Sequence, residues 1–216
     1  MGTEETNFGN KLAELRANSC AELPTPQLAV LTRATARLRR SGILNRCLQT
    51  GETVPDFEFI DGTNSPATLY QLLGRGPVVI NFFRGFWCMF CKTELDAYLQ
   101  VKDSLDSLQC SYLAISPQPS VAAEIPHRYQ TVFDRDNAIA RRFGLVYSLE
   151  EDEISLFREW GLALDLFNEA RSWELPLPAT YVISKDRTVG YGFVDVDYRA
   201  RCCPDELIEQ VRRLVA

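Results

Sequence analysis

The feature that most constrains this chain is a pair of cysteines at the end of an apolar, β-rich run. Residues 78–83 read Val-Val-Ile-Asn-Phe-Phe after Gly76-Pro77, the character of a buried strand. Cys88-Met89-Phe90-Cys91 follows, and the stretch from about 88 to 108 is expected to be helical. A strand handing over to a helix puts Cys88 and Cys91 at a helix N-terminus. Unpaired backbone N–H groups and the positive end of the helix dipole stabilise a thiolate there. The three-residue offset sets both sulfurs on one side of the first turn, close enough to bond. Attack by one thiolate on a substrate, then by the second on the adduct, is thiol–disulfide exchange. With a peroxide, the first product is a sulfenic acid, and the second thiol condenses with it.

The chain has seven cysteines, an odd number, so full internal pairing is impossible. At 216 residues it needs no staples. In a reducing compartment a close pair reads as catalytic or metal-binding. Zinc lacks ligands here: His127 is the only histidine, no second CxxC exists, and the adjacent Cys202-Cys203 make poor tetrahedral partners. No metal and no cofactor is expected. Two inert core cysteines are the other alternative, against which their position after a buried strand argues. Cys20, Cys47 and Cys110 read as buried small hydrophobes.

A 46% hydrophobic and 24% charged composition suits a soluble globular chain with a sizeable core. The net charge of −6 gives no bulk attraction to nucleic acid. No stretch approaches the ~18 apolar residues of a membrane span. Residues 1–11 are polar and acidic and lack a signal-peptide core, so a cytoplasmic location is expected. Met1-Gly2 with Thr6 fits the short myristoylation pattern, which is too weak to carry an assignment.

Residues 1–50 read as a helical extension packed on a domain spanning 51–216. Thr25 is placed to cap a helix that Pro26 begins and Gly42 ends. Leu28, Leu31 and Leu38 lie near its inner face, and Arg33, Arg37, Arg39 and Arg40 are expected to be solvated or to face the helix dipole. Residues 54–59 alternate like a short edge strand, and 68–73 form a short helix. Residues 111–115 are a second buried strand, a helix runs through 138–143, and 150–170 form a mostly helical insertion. Residues 179–183 and 189–194 close the sheet as a hairpin, and a last helix buries Leu207, Val211 and Leu214. This order is α/β with a central mixed sheet flanked by helices.

Phe82-Phe83-Arg84-Gly85-Phe86-Trp87-Cys88-Met89-Phe90-Cys91, then Glu94-Leu95, resembles the peroxiredoxin-like branch of the alkyl hydroperoxide reductase/thiol-specific antioxidant family. Members of that branch carry an aromatic-Arg-Gly-x-Trp-Cys-Pro-Tyr-Cys segment. Four further segments fit in order: Thr53-Val54-Pro55-Asp56-Phe57, Ala114-Ile115-Ser116-Pro117-Gln118, residues 177–183, and Asp197-Tyr198-Arg199-Ala200-Arg201. The resemblance covers about 51–215 and implies a thioredoxin-like fold. It implies reduction of a hydroperoxide or disulfide substrate through Cys88 and Cys91, recycled by a thioredoxin- or glutathione-type electron donor, and it allows a homodimer.

The resemblance leaves the nucleophile open. Against thioredoxin, Trp87-Cys88-Met89-Phe90-Cys91-Lys92 makes Cys88 the attacker. Against true peroxiredoxins, Cys91 before Thr93-Glu94 takes that part, Cys88 stands where those relatives have threonine, and Arg84 where they have proline. Met89 replaces the branch's usual proline. The resemblance implies substrate-binding or thiolate-stabilising places for Arg84, Gly85, Trp87, Pro178 and Arg201, with Pro178 as a cis-proline facing the redox loop. Phe86 and Phe90 join Trp87 as candidate walls of an apolar pocket, and Trp160 and Trp173 as candidate lids. Cys202 and Cys203 are candidate extra thiols because they follow Arg201. Three other readings remain: a disulfide reductase with little peroxidase activity, the scaffold repurposed for biosynthetic tailoring, and a non-catalytic redox sensor.

Overall fold

The computed structural model describes residues 3–119, 130–169 and 172–215, with side chains for all of these except 3–6 and 20. The side chain of Cys20, the Met1-Gly2 pair and His127 therefore lie outside the described residues. Two N-terminal helices, α1 (Thr3–Glu22) and α2 (Thr25–Arg40), lead into a small hairpin, β1 (Glu58–Ile60) and β2 (Pro66–Thr68), and then α3 (Leu69–Leu73). The core follows as β3 (Val78–Phe82), α4 (Met89–Gln100), α5 (Lys102–Ser107), β4 (Ser111–Ser116), β5 (Gln130–Phe133) and α6 (Ala138–Arg142). A second hairpin, β6 (Val146–Ser148) with β7 (Glu174–Pro176), brackets α7 (Glu151–Glu159) and α8 (Leu164–Phe167). The chain closes with β8 (Ala179–Ile183), β9 (Val189–Val194) and α9 (Pro204–Val215).

The central sheet runs β5-β4-β3-β8-β9. Strands β3, β4 and β5 are parallel, while β8 is antiparallel to β3 and β9 to β8. Alternation along β3 divides the core. Val78, Ile80 and Phe82 join a cluster with Phe57, Phe143 and Tyr181 on one face. Val79 joins Tyr98, Leu105, Val182, Leu207 and Val211 on the other, under α4, α5 and α9. Both faces are covered, so β3 is buried along its whole length and is apolar except for Asn81.

Several boundaries differ from expectation for identifiable reasons. Residues 54–57 are not strand. Pro55 has no N–H to give a ladder, and Asp56 Oδ1 instead accepts from the Phe57 and Tyr70 backbone N–H groups at 3.0 and 2.9 Å. Helix α2 starts one residue early, with Pro24 at the N-cap and no side-chain cap, because Pro26 already fits the first turn. The 88–108 helix breaks at Val101, whose ψ of 9° separates α4 from α5. Leu214 is exposed on α9, whereas Leu207 and Val211 are buried. Arg33 and Arg37 are neither merely solvated nor aimed at their own helix end. They reach across to α7, Arg33 to Asp152 at 2.9 Å and Arg37 to Glu150 and Glu153.

Candidate active site

The loop after β3 turns sharply at Gly85, whose φ is +148°. A Cβ there would lie 2.7 Å from Gln118 Oε1 and would collide with the Trp87 indole nitrogen, so the position requires glycine. Gln118 Oε1 holds the loop by accepting from the Phe86 N–H at 2.8 Å. The chain then enters α4 with Cys88 as N-cap residue. Cys91 sits one turn on, within a buried stripe of Phe90, Cys91, Glu94, Leu95 and Tyr98. Cys88 is 3% exposed and Cys91 0%, while Met89 between them is 59% exposed.

Two buried arginines converge on the sulfurs. Arg84 Nη2 donates to Cys88 Sγ at 3.3 Å, and Arg201 Nη2 donates to Cys91 Sγ at 3.2 Å. The Arg84 guanidinium lies over two rings, 4.9 Å from the Trp87 ring and 4.3 Å from the Tyr198 ring. Such stacking fixes a planar cation at a modest desolvation cost. Arg201 is clamped by the Ala200 carbonyl at 2.6 Å, by the Tyr198 carbonyl, and by Glu94, whose Oε2 lies 3.0 Å from Arg201 Nε. The Glu94–Arg201 contact misses hydrogen-bond alignment and is therefore an ion pair by charge, not a two-pronged fork.

The electrostatics follow from this geometry. Burial alone opposes ionisation of Cys88, but the hydrogen bond from the Cys91 thiol, together with Arg84 and Arg201, overrides it and holds Cys88 well below the ordinary thiol range. Cys91 moves the opposite way, through burial first and then through its bond to Cys88 and the charge there. The pair therefore shares one proton: the first comes off readily and the second is retained. Burial pushes the Glu94 carboxyl up, with Arg201 and neighbouring hydrogen bonds pulling against it.

The family model for the AhpC/TSA family matches residues 50–191. The chain belongs to the AhpC/TSA family. A Mycobacterium tuberculosis protein named as a peroxiredoxin is 30% identical over 103 residues, covering 45% of this chain and 67% of that protein. The crystal structure of peroxidoxin BcpB from Mycobacterium tuberculosis superposes with a TM-score of 0.57 at 25% identity, over 77% of this chain and 98% of that one. Peroxiredoxin Q of Xanthomonas campestris superposes with a TM-score of 0.55 at 16% identity, over 78% and 100% of the two chains. This AhpC/TSA chain thus has a thioredoxin-like fold, and its enzyme class is thiol peroxidase, an oxidoreductase.

In this AhpC/TSA member, Cys88, Cys91, Arg84, Gly85, Trp87 and Arg201 come together. Pro178 does not take the expected form. It is buried, but the chain has no cis peptide bond among the described residues. Leu177 N–H bonds to the Leu145 carbonyl at 2.9 Å and the chain runs straight into β8, which the default trans X–Pro bond accommodates. Cys202 lies in the separate cluster beneath α9, where burial pushes its thiol up to about 12. Cys203 packs against the cluster that holds the pair. Phe86 and Phe90 flank the loop as packing residues, edge-on to Phe83 and Tyr198. Phe157 stands edge-on to both Trp87 and Trp160, and the Arg158 guanidinium lies over Trp173. Trp160 and Trp173 pack against the cluster of Leu149, Phe157, Leu164 and Leu175, against which Trp87 of the site also packs.

Sequence reading singled out neither Tyr198 nor Gln118 as site residues, and it treated Glu94 only as a family marker. Glu94 was within reach of helix periodicity: three residues after Cys91 on a helix, it shares that cysteine's face. Tyr198 and Gln118 arrive from distant loops, with no local signal. Among the described residues no group of three or more His, Cys, Asp or Glu side chains is arranged to hold a metal ion. Among them, too, no helix is long and apolar enough to cross a membrane.

Proposed function

We propose that this chain reduces hydroperoxides with Cys88 as the attacking thiolate and Cys91 as the resolving thiol. The observation that carries the reading is the pairing of each buried sulfur with its own buried guanidinium; Cys88 is taken as the attacker because it sits at the helix N-cap beside the exposed Met89, while Cys91 is enclosed one turn on. The Cys88 thiolate attacks the terminal peroxide oxygen, forming an S–O bond as the O–O bond breaks. Sulfur is oxidised to a sulfenic acid and the peroxide is reduced to an alkoxide. The alkoxide takes the proton retained by Cys91 and leaves as the alcohol. The Cys91 thiolate so generated attacks the sulfenic sulfur, forming the disulfide and expelling hydroxide, which a solvent proton converts to water. Arg84 and Arg201 stabilise the thiolate and the charge on the departing oxygen.

A thioredoxin- or glutathione-type thiol then returns the disulfide to the reduced pair. That demand for reduced thiols fits a reducing compartment, the cytoplasm. The proposal includes the division into a helical extension over 1–50 and a redox domain over 51–216, which the family match beginning at residue 50 supports. Family analogy allows a homodimer. A second reading, disulfide exchange with little peroxidase activity, is favoured by one observation: Cys88 stands where peroxidatic relatives carry a hydroxyl group.

Stopped-flow oxidation of the reduced protein by hydrogen peroxide and an organic hydroperoxide, with mass mapping, tests this. The wild type should oxidise far faster than a free thiol and yield a Cys88–Cys91 disulfide. Cys88→Ser should lose at least about a thousandfold in rate. Cys91→Ser should stop at a sulfenic acid on Cys88 that dimedone traps. Dimedone labelling of Cys91 in Cys88→Ser at the wild-type rate would reverse the two roles. Oxidation no faster than a free thiol would leave disulfide exchange as the function.

A further inference from the structure

Beneath the thiol pair lies a set of buried polar side chains that the peroxide chemistry does not use. Asn81 on β3 and Thr180 on β8 are cross-strand partners on the sheet face under α4. Asn81 Nδ2 donates to Thr180 Oγ1 at 3.0 Å. Tyr98, four residues beyond Glu94 on the same stripe of α4, brings its hydroxyl to this spot. The oxygen lies 3.1 Å from Thr180 Oγ1, 3.3 Å from Glu94 Oε1 and 3.2 Å from the Cys202 carbonyl. Thr180 Oγ1 is 3.4 Å from Glu94 Oε1. All of these side chains are buried.

Proton counting narrows how they are satisfied. Tyr98 and Thr180 have one hydroxyl proton each, and the acceptors are Glu94 Oε1 and the Cys202 carbonyl. One arrangement uses both hydroxyl protons and reaches both acceptors: Asn81 to Thr180, Thr180 to Glu94, and Tyr98 to the Cys202 carbonyl, with Asn81 Oδ1 and Glu94 Oε2 left without a hydrogen bond. Phenylalanine and valine at positions 98 and 180 would fill much the same space without the desolvation cost of buried hydroxyls. The polar version does one thing an apolar version does not. It ties α4 to the carbonyl of Cys202, the residue after Arg201, while Thr180 steadies the carboxylate that faces the same guanidinium.

We propose that Tyr98, backed by Thr180, is a positioning residue for Arg201: through the Cys202 carbonyl and Glu94 it holds the guanidinium against the Cys91 sulfur and so sets the ionisation of the thiol pair. The inference rests on the pair being the reactive centre. The charged and titratable groups facing that centre are Arg84 from the β3–α4 loop, Arg201 and Tyr198 from the loop before α9, Tyr147 from β6 and Glu94 from α4. The sign of the effect follows from distance. The guanidinium donates to the Cys91 sulfur at 3.2 Å, so it is the charge whose displacement the thiol feels most strongly. Displacing the cation therefore outweighs any change in the charge of Glu94, and thiolate formation becomes harder.

The test is a pH titration of thiolate absorbance near 240 nm on the full chain, backed by alkylation rates. It needs no peroxide turnover. Tyr98→Phe should raise the first thiol pKa by about half a unit to one unit, a three- to tenfold loss of thiolate at a pH below it. The same change in an Arg201→Met/Glu94→Gln background, where no ion pair remains to be positioned, should shift it by less than about 0.2 units. Tyr181→Phe, which removes a buried hydroxyl from the opposite sheet face, should leave the titration where it is. No shift in Tyr98→Phe overturns the proposal, as does an equal shift in both backgrounds. A wild-type pair titrating like an ordinary thiol, near 8.5, would instead bring down the reading of the site itself, and this inference with it.

Discussion

Cys47 and Cys88 are the same side chain, both buried, on chemically opposite faces of the fold. Cys47 belongs to the aromatic face with Phe57, Phe82, Phe143 and Tyr181, and its thiol donates only to the Ile43 and Gly144 carbonyls. Burial pushes it up to about 11, with Arg46 opposing weakly. Cys110, under α5, is pushed up to about 12 by the same cause. Cys88 is also opposed by burial but has a guanidinium on its sulfur and a second on the neighbouring Cys91 sulfur. Burial alone makes a thiol inert. Charge delivered inside the buried volume, where water does not screen it, reverses the outcome.

The widest separation should appear in labelling. At pH 7 a thiol with a pKa of about 11 is ionised to only ~10⁻⁴, while Cys88 is held well below the ordinary range. Brief iodoacetamide treatment of reduced protein should alkylate Cys88 before Cys47, Cys110 or Cys202, read by peptide mass mapping. As pH falls, Cys88 labelling stays flat until the first ionisation of the pair and then drops tenfold per unit. Cys47 labelling should still be climbing at pH 10. Equal labelling of the four at neutral pH would erase the contrast between the two faces.

The aromatic face should fail in stability and leave the chemistry alone. Phe143 is fully buried, 4.9 Å from Phe82 and 5.5 Å from Tyr181 between ring centres. Phe143→Ala should cost about 3–5 kcal/mol through lost transfer energy and the cavity left behind. Denaturant titration reads that loss. In the remaining folded protein, the pH profile of Cys88 labelling should match the wild type, because no charge near the pair has moved.

These two faces were not equally legible in the sequence. The aromatic face came from pattern: β3, β4, β8 and β9 read from apolar runs, and the CxxC from its place after one of them. The Cys88–Arg84 contact was near at hand, since the residues are four apart. The rest of the charged face is assembled across the chain. Arg201 lies 110 residues from Cys91, and no local propensity says that a loop arginine will be buried, or that Tyr198 will stack on Arg84. Hairpin β6–β7 was missed because its strands are three residues long and embrace a helical insertion, so neither shows a period of its own. The family resemblance supplied Arg201 as a candidate, and the same source supplied a cis Pro178 that the fold does not have.

The charged face should fail in chemistry before stability. Arg84→Met removes the donor to Cys88 Sγ and one of two nearby cations. An opposite charge at this range is worth about 1–3 pKa units, so thiolate at a pH below the new pKa should fall about ten- to a thousandfold. The expected result, in absorbance titration and in labelling rate, is toward the lower end, because Arg201 remains. Arg84→Lys should recover only part, since an ammonium keeps the charge but lacks the planar face that meets the Trp87 and Tyr198 rings. Full recovery would show that charge alone matters and that the aromatic contacts are packing.

The smallest effect is expected where charge sits in water. Arg33 and Asp152 join α2 to α7 at 2.9 Å, yet both side chains are well exposed. Solvent screens the pair, and ordering two long side chains offsets much of the attraction. Arg33→Ala should therefore change stability by about 0–0.5 kcal/mol in denaturant titration, with the difference shrinking as salt is added. Arg37, a turn along, makes the contrast within one helix. Its partner Glu153 is buried and also accepts the Glu150 N–H at 2.9 Å. Arg37→Ala strands that carboxylate, so it should cost more than Arg33→Ala and respond less to salt. The same ion-pair chemistry would then grade from negligible on the surface of α2, through Glu153, to decisive at Cys88. Equal effects for Arg33 and Arg37 would break that gradient.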